Sequence, residues 1–135
     1  MKYIIADPDM NSGIDLKRIL DDNKTLVFQG SFTTLKAAEK CIREEPPDIA
    51  FIWLGKAELN AFRLVGEIKE RNPLSKVIFI SSQKENAVEA FEYEADGFLL
   101  KPFNKKKIGQ LLQKNIAKDD INKIEQTDYC RNKKR

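Results

Sequence analysis

The sequence predicts an α/β fold, a doubly wound parallel sheet of five strands with helices on both faces. Two observations carry this. Short apolar runs alternate five times with stretches whose apolar residues recur at spacings of three and four. The runs are also apolar almost throughout, as strands covered on both faces must be, rather than apolar at every second residue. No internal repeat is present.

The elements follow in order. The first strand is Lys2-Tyr-Ile-Ile-Ala6, and the first helix covers about 11–22 with Ile14, Ile19 and Leu20 inward. Leu26-Val-Phe28 and its neighbours form the second strand. The second helix, about 34–44, turns Leu35, Ala38, Cys41 and Ile42 inward and stops at Pro46-Pro47, whose rings cannot continue a helix. The third strand is 48–54. The third helix, about 58–71, presents Leu59, Phe62, Val65 and Ile68 and ends at Asn72-Pro73. The fourth strand, 76–81, ends in hydroxyls. Ser82 and Glu85 have the spacing of a capping box, which starts the fourth helix at Ser82. The fifth strand is about 97–100. The fifth helix follows Asn104, with Ile108, Leu111, Leu112 and Ile116 inward. Residues 118–135 lack periodicity and read as a tail or linker, so the expected domain is 1–117.

Composition narrows the function classes. A chain of 135 residues, 41% hydrophobic, suits one domain. No apolar run approaches the ~18 residues of a membrane span. The chain begins directly on a strand rather than a leader, so the expected location is the cytoplasm. With no His, and with Cys41 and Cys130 far apart, most zinc sites and every His-based triad are excluded. Cys41 is expected as a small buried apolar residue and Cys130 as a free thiol in a polar tail. Residues 1–100 carry 13 Lys and Arg against 17 Asp and Glu, whereas residues 101–135 carry 11 against 4. A basic C-terminal end suits nucleic acid or an acidic partner, or is simply a solvated face running into a linker.

Ligands of open parallel sheets bind outside the carboxyl ends of the strands. The candidate site can therefore be read from strand ends alone: Asp7 and Asp9, Trp53 to Lys56, Ser81 and Ser82, and Lys101. Strand 1 is followed by Pro8-Asp9-Met10-Asn11 with only Gly13 nearby. Neither a dinucleotide fingerprint nor a phosphate-binding P-loop is present.

The order of these segments, and above all Gly97-Phe-Leu-Leu-Lys-Pro-Phe103, resembles the receiver domain of bacterial two-component response regulators over about residues 1–116. The resemblance implies a flavodoxin-like (βα)5 sheet of order 2-1-3-4-5. It implies no enzyme in its own right, but a domain whose aspartate takes a phosphoryl group from a histidine kinase with magnesium bound. Residue by residue, Lys101 matches the family lysine, Ser81 the switch hydroxyl, Phe98 the switch aromatic and Asp7 the first acid. Pro8 stands where a direct metal ligand belongs, and Asp9 follows where a third acid is often found. Trp53 stands at the phosphoacceptor position, and Lys56-Ala57 replaces the usual Met-Pro. With nucleophile and ligand both missing, phosphoryl transfer and a resident metal are not expected, and no cofactor is implied. Trp53 is read as a plug or filler, Asp7 and Asp9 as surface loop acids, and Lys101 as a partner for either acid. The Lys101-Pro102 peptide is expected cis, as receivers use it.

The expected function is a phosphorylation-independent signalling receiver that controls an output domain, typically transcriptional, through protein contacts. The resemblance implies a homodimer through the fourth helix, fifth strand and fifth helix, with Glu85, Glu89, Glu92 and Glu94 facing Lys101 and Lys105 to Lys107 of a second copy. The other reading of those charges is two solvated helices. A histidine kinase or other signalling protein is the expected partner, and DNA is reached only through an effector domain. Two alternatives from other classes are a flavodoxin-like small-molecule-binding module and a nucleic-acid binder acting through the basic C-terminal segment.

Overall fold

The structure is a computed structural model that describes residues 1–55 and 60–117. Among them lie five strands, β1 Lys2–Ala6, β2 Val27–Phe32, β3 Ile49–Trp53, β4 Lys76–Ser81 and β5 Gly97–Leu100. All neighbours pair parallel, in the order β2-β1-β3-β4-β5. The helices are α1 Met10–Leu20, α2 Leu35–Glu44, α3 Ala61–Arg71, α4 Asn86–Glu92 and α5 Lys105–Leu112, the last continued by a π-helical turn, Gln113–Ala117.

Side-chain alternation divides each central strand between two cores. Ile4, Ala50, Ile52, Val77 and Phe79 meet Ala38 and Ile42 of α2, Leu64 and Ile68 of α3, and Ala90 of α4. Tyr3, Ile5, Ile49, Phe51, Ile78 and Ile80 meet Leu16 and Leu20 of α1, and Ile108 and Leu112 of α5. Both faces of β1, β3 and β4 are thus dry, which is why these runs contain so little polarity. Each large aliphatic or aromatic side chain so buried contributes about 1.5–3 kcal/mol of transfer free energy.

Polar residues set the helix starts. Thr34 Oγ1 accepts from Ala37 N at 3.3 Å, Asn60 Oδ1 from Arg63 N at 3.1 Å, and Asn104 Oδ1 from Lys106 N and Lys107 N at 2.9 and 3.1 Å. Each cap of this kind is worth about 1 kcal/mol. Glu44 closes α2 just before Pro46-Pro47.

Four details differ from the sequence reading. Ile14 is 49% exposed, and Leu16 takes the inward position beside Leu20, so the buried stripe of α1 is rotated. β2 runs on through Gln29 and Ser31 to Phe32, because an edge strand needs only one dry face. Cys41 is half-buried rather than buried, with Gln29 Nε2 3.6 Å from its sulfur. The capping box does not form: α4 starts at Asn86, and Glu85 at its N-cap makes no side-chain bond. Ser82 stays outside the helix, and a turn intervenes, with Asn86 N donating to Gln83 O and Ala87 N to Lys84 O, both at 3.1 Å. Lys56, Leu59, the side chain of Ile116, and all of 118–135 with Cys130 lie outside the described residues. Among the described residues no helix is long and apolar enough to cross a membrane.

Candidate functional site

The carboxyl ends of the strands bring together Asp7, Ser81 and Lys101. Asp7 follows β1 directly, and its N–H donates to Phe32 O at 2.9 Å, which fixes its backbone to the end of β2. Its side chain is buried, correcting the expectation of a surface acid. Oδ1 accepts from Asp9 N at 2.9 Å, and Oδ2 lies 2.7 Å from Lys101 Nζ. Among the described residues no donor is aimed along a hydrogen-bond direction at Oδ2, so charge rather than a directed bond joins the pair. Lys101 is held in turn by its backbone, whose N–H donates to Ser81 O at 2.8 Å. The Lys101-Pro102 peptide is cis. Of the two acids open to Lys101, the pair uses Asp7.

Asp9 has a separate task. It is exposed and forms the N-cap of α1, with Oδ1 accepting from Asn11 N at 3.0 Å and Ser12 N at 3.4 Å. Asp7 and Asp9 are therefore committed to different partners. Among the described residues no group of three or more His, Cys, Asp or Glu side chains is placed to hold a metal ion.

Ser81 ends β4 with its hydroxyl almost wholly buried. Oγ accepts from Gln83 N at 3.0 Å and from Asn86 Nδ2 at 2.8 Å, and contacts Gln83 O at 3.3 Å. The same Asn86 amide reaches Leu54 O at 3.4 Å. Asn86 thus ties the start of α4 to the ends of both β3 and β4. The sequence reading missed it. The available signal was an asparagine just beyond two strand-end hydroxyls, a position from which an amide reaches strand termini.

Trp53 ends β3 half-buried. Strand alternation would send it with Phe51 toward α1 and α5, yet it packs with Phe62 and Phe98 against the α2–α4 core. The indole lies over Gly55, where a Cβ would stand only 2.6 Å from Trp53 Cη2. A side chain at position 55 would push the ring aside. Phe98 is half-buried, in register with Phe79, and also borders a groove with Lys84, Lys107 and Leu111.

Comparison with known proteins agrees with this fold. The family model described as response regulator receiver domain matches residues 4–113. Sensory transduction protein LytT of Bacillus cereus is 26% identical over 114 residues, covering 84% of this chain and 46% of that protein. Transcriptional regulatory protein YpdB of Escherichia coli is 28% identical, covering 84% of this chain and 47% of that protein. The chain thus spans about half the length of these curated relatives. The crystal structure of the response regulatory domain of MrkE from Klebsiella pneumoniae superposes with a TM-score of 0.77 at 28% identity, covering 87% of this chain and 96% of that one.

Proposed function

This chain belongs to the response regulator receiver domain family, and on that premise we propose that it signals without phosphoryl transfer, through protein contacts that control a transcriptional output domain. Receiver domains are non-enzymatic modules that interact with histidine kinases in two-component systems. The observation that carries the reading is the end of β3, where Trp53 offers no carboxylate to receive a phosphoryl group. Two further contacts support it. Lys101, which would hold phosphoryl oxygens, is neutralised by Asp7 at 2.7 Å. The Ser81 hydroxyl is engaged by Gln83 and Asn86. Under this reading Trp53, Asp7, Asp9, Ser81 and Lys101 are the remnant of a phosphorylation pocket, with Phe98 as its former aromatic relay.

Output in the proposal runs through the face of α4, β5 and α5. Val88, Phe91 and Leu100 are exposed there at 69, 57 and 39%. Acidic Glu85, Glu89 and Glu92 flank the first two, and Lys105 to Lys107 open α5. A second copy related by a two-fold axis would set acid against base around an apolar centre. Residues 1–117 are the receiver in this scheme and 118–135 lead toward an effector, through which alone DNA is contacted. LytT-like and YpdB-like regulators, about twice this length, are the template for that arrangement.

The test is incubation with acetyl phosphate and magnesium, followed by intact-mass spectrometry. The expected result is no added phosphoryl mass. A hydroxylamine-labile adduct would overturn the proposal.

A further inference from the structure

Beside the Asp7–Lys101 pair, on the α3–α4 side of the strand ends, lies a separate cavity of about 540 Å³. That volume is in the range of small-ligand sites, and carboxyl ends of parallel strands are where such sites form. Among the described residues its walls are Trp53, Phe62, Ser82, Gln83, Asn86 and Glu89, with Ser81, Leu54 and Gly55 at the strand ends.

Two walls are aromatic. Trp53 lies over Gly55. Phe62 meets Phe79 edge-on at 6.1 Å and stacks on Tyr93 at 3.9 Å with 22° between the planes. Donors are present in the Ser82 hydroxyl, the Gln83 amide and the indole N–H, beside two acceptors. Asn86 spends its donor on Ser81 Oγ and Leu54 O, which leaves its carbonyl Oδ1 without a hydrogen-bond partner among the described residues. Glu89 is exposed and has no ion-pair partner among the described residues. The site therefore offers free acceptors, one negative charge and the electron-rich faces of two rings. Among the described residues no cation lines it.

From this we infer that the Trp53 cavity binds small organic cations with a flat apolar body, such as amidinium or aryl-ammonium compounds. The rings take the flat body and attract its charge. Glu89 and Asn86 Oδ1 accept its N–H donors. An anion meets the like charge of Glu89 and is disfavoured. Because Asn86 and Glu89 belong to α4, occupancy would bear on the helix that carries Val88 and Phe91. The inference goes beyond the loss of phosphoryl chemistry and does not depend on it.

The experiment uses three isosteric probes of charge +1, 0 and −1: benzamidinium, benzamide and benzoate. Each is titrated at constant ionic strength into the isotopically labelled full chain and followed by amide correlation NMR. Benzamidinium is expected to shift the Trp53 indole N–H and the Asn86 side-chain amide saturably, with a dissociation constant of about 1–10 mM, ordinary for so small a ligand. Benzoate is expected to bind more weakly than benzamidinium. Glu89→Gln, an exposed change that leaves the fold intact, should weaken benzamidinium about threefold or more. Phe62→Leu should weaken benzamidinium and benzamide alike. Benzoate binding as tightly as benzamidinium, shifts confined to other residues, or an unchanged affinity in Glu89→Gln would each overturn the inference.

Discussion

Lys101 and Asp7 meet at 2.7 Å across the carboxyl edge of the sheet, joining the end of β5 to the end of β1 although β3 and β4 lie between them. The carboxylate is 1% exposed and the lysine 18%. A pair this dry is close to neutral compared with an apolar pair of the same shape. Removing one partner, however, strands the other charge.

Lys101→Met is therefore expected to destabilise the protein by about 3 kcal/mol, because Asp7 is left buried and uncompensated. Asp7→Asn alone should cost less, since Lys101 can turn toward solvent. The double mutant should be more stable than the sum of the single losses predicts. Urea unfolding of the four proteins closes the cycle, and strict additivity would show that the pair is not coupled.

Gly55→Ala should force the indole of Trp53 off its seat. The expected cost is about 1–3 kcal/mol, together with a red shift of emission as the ring gains water. Trp53 is the only tryptophan, so the spectrum reports this ring alone. In a Trp53→Leu background the same change should cost far less. An equal cost in both backgrounds would place the strain in the backbone instead.

Restoring chemistry should take two substitutions. Trp53→Asp adds a carboxylate near buried Asp7, whose charge disfavours a second ionised acid. Pro8→Asp adds a further oxygen ligand, so a divalent cation can offset the repulsion. Phosphorylation by acetyl phosphate, followed by intact mass, is expected to be much faster in the double mutant than in Trp53→Asp. Equal rates would show that position 8 does not limit metal binding.

Acid should weaken the link between α1 and β1. The ammonium of Lys17, hydrogen-bonded at 2.6 Å, holds the Asp21 carboxyl below its ordinary range, and the Tyr3 hydroxyl, donating at 2.9 Å, adds to this. The folded value is lower than the unfolded one. The contribution is thus present above pH ~4 and is lost as pH falls through the folded value. Asp21 is 43% exposed, so solvent screening limits the effect to about 0.5 kcal/mol. Asp21→Asn should flatten the acid limb of a stability–pH curve by that amount, by lowering stability and hence Tm slightly at pH 7 while leaving acid stability unchanged. A steeper acid limb in the variant would reverse the sign.

The sheet could be read from sequence because its signal is local: runs such as Ile49-Ala-Phe-Ile and Val77-Ile-Phe-Ile are dry on both faces wherever they sit. The strand ends could be named for the same reason. What each end does depended on residues far away in the chain. Asp7 is buried only because Lys101 arrives from the other end of the sequence to neutralise it. The Ser82–Glu85 spacing pointed to a helix start, but the neighbouring Ser81 hydroxyl was already engaged by Gln83 and Asn86, and the helix begins at Asn86 instead. Ile14 and Leu16 both fit an amphipathic period, and only the packing of α1 against β1 chose Leu16.

Among the residues of α4, Ala90 alone is buried, whereas α3 buries Ala61, Leu64 and Ile68. Seven residues that bury one methyl group and are tied down by an asparagine amide, with a stacked tyrosine at their C-cap, make a lightly anchored flap. Opening that flap sacrifices little dry surface, so its free energy lies far below that of global unfolding, and its amides should exchange with solvent sooner than those of β3. On the proposed reading, a receiver with so lightly anchored a helix needs no phosphoryl group to free it. It can be read by whatever grips the flap and makes it rigid.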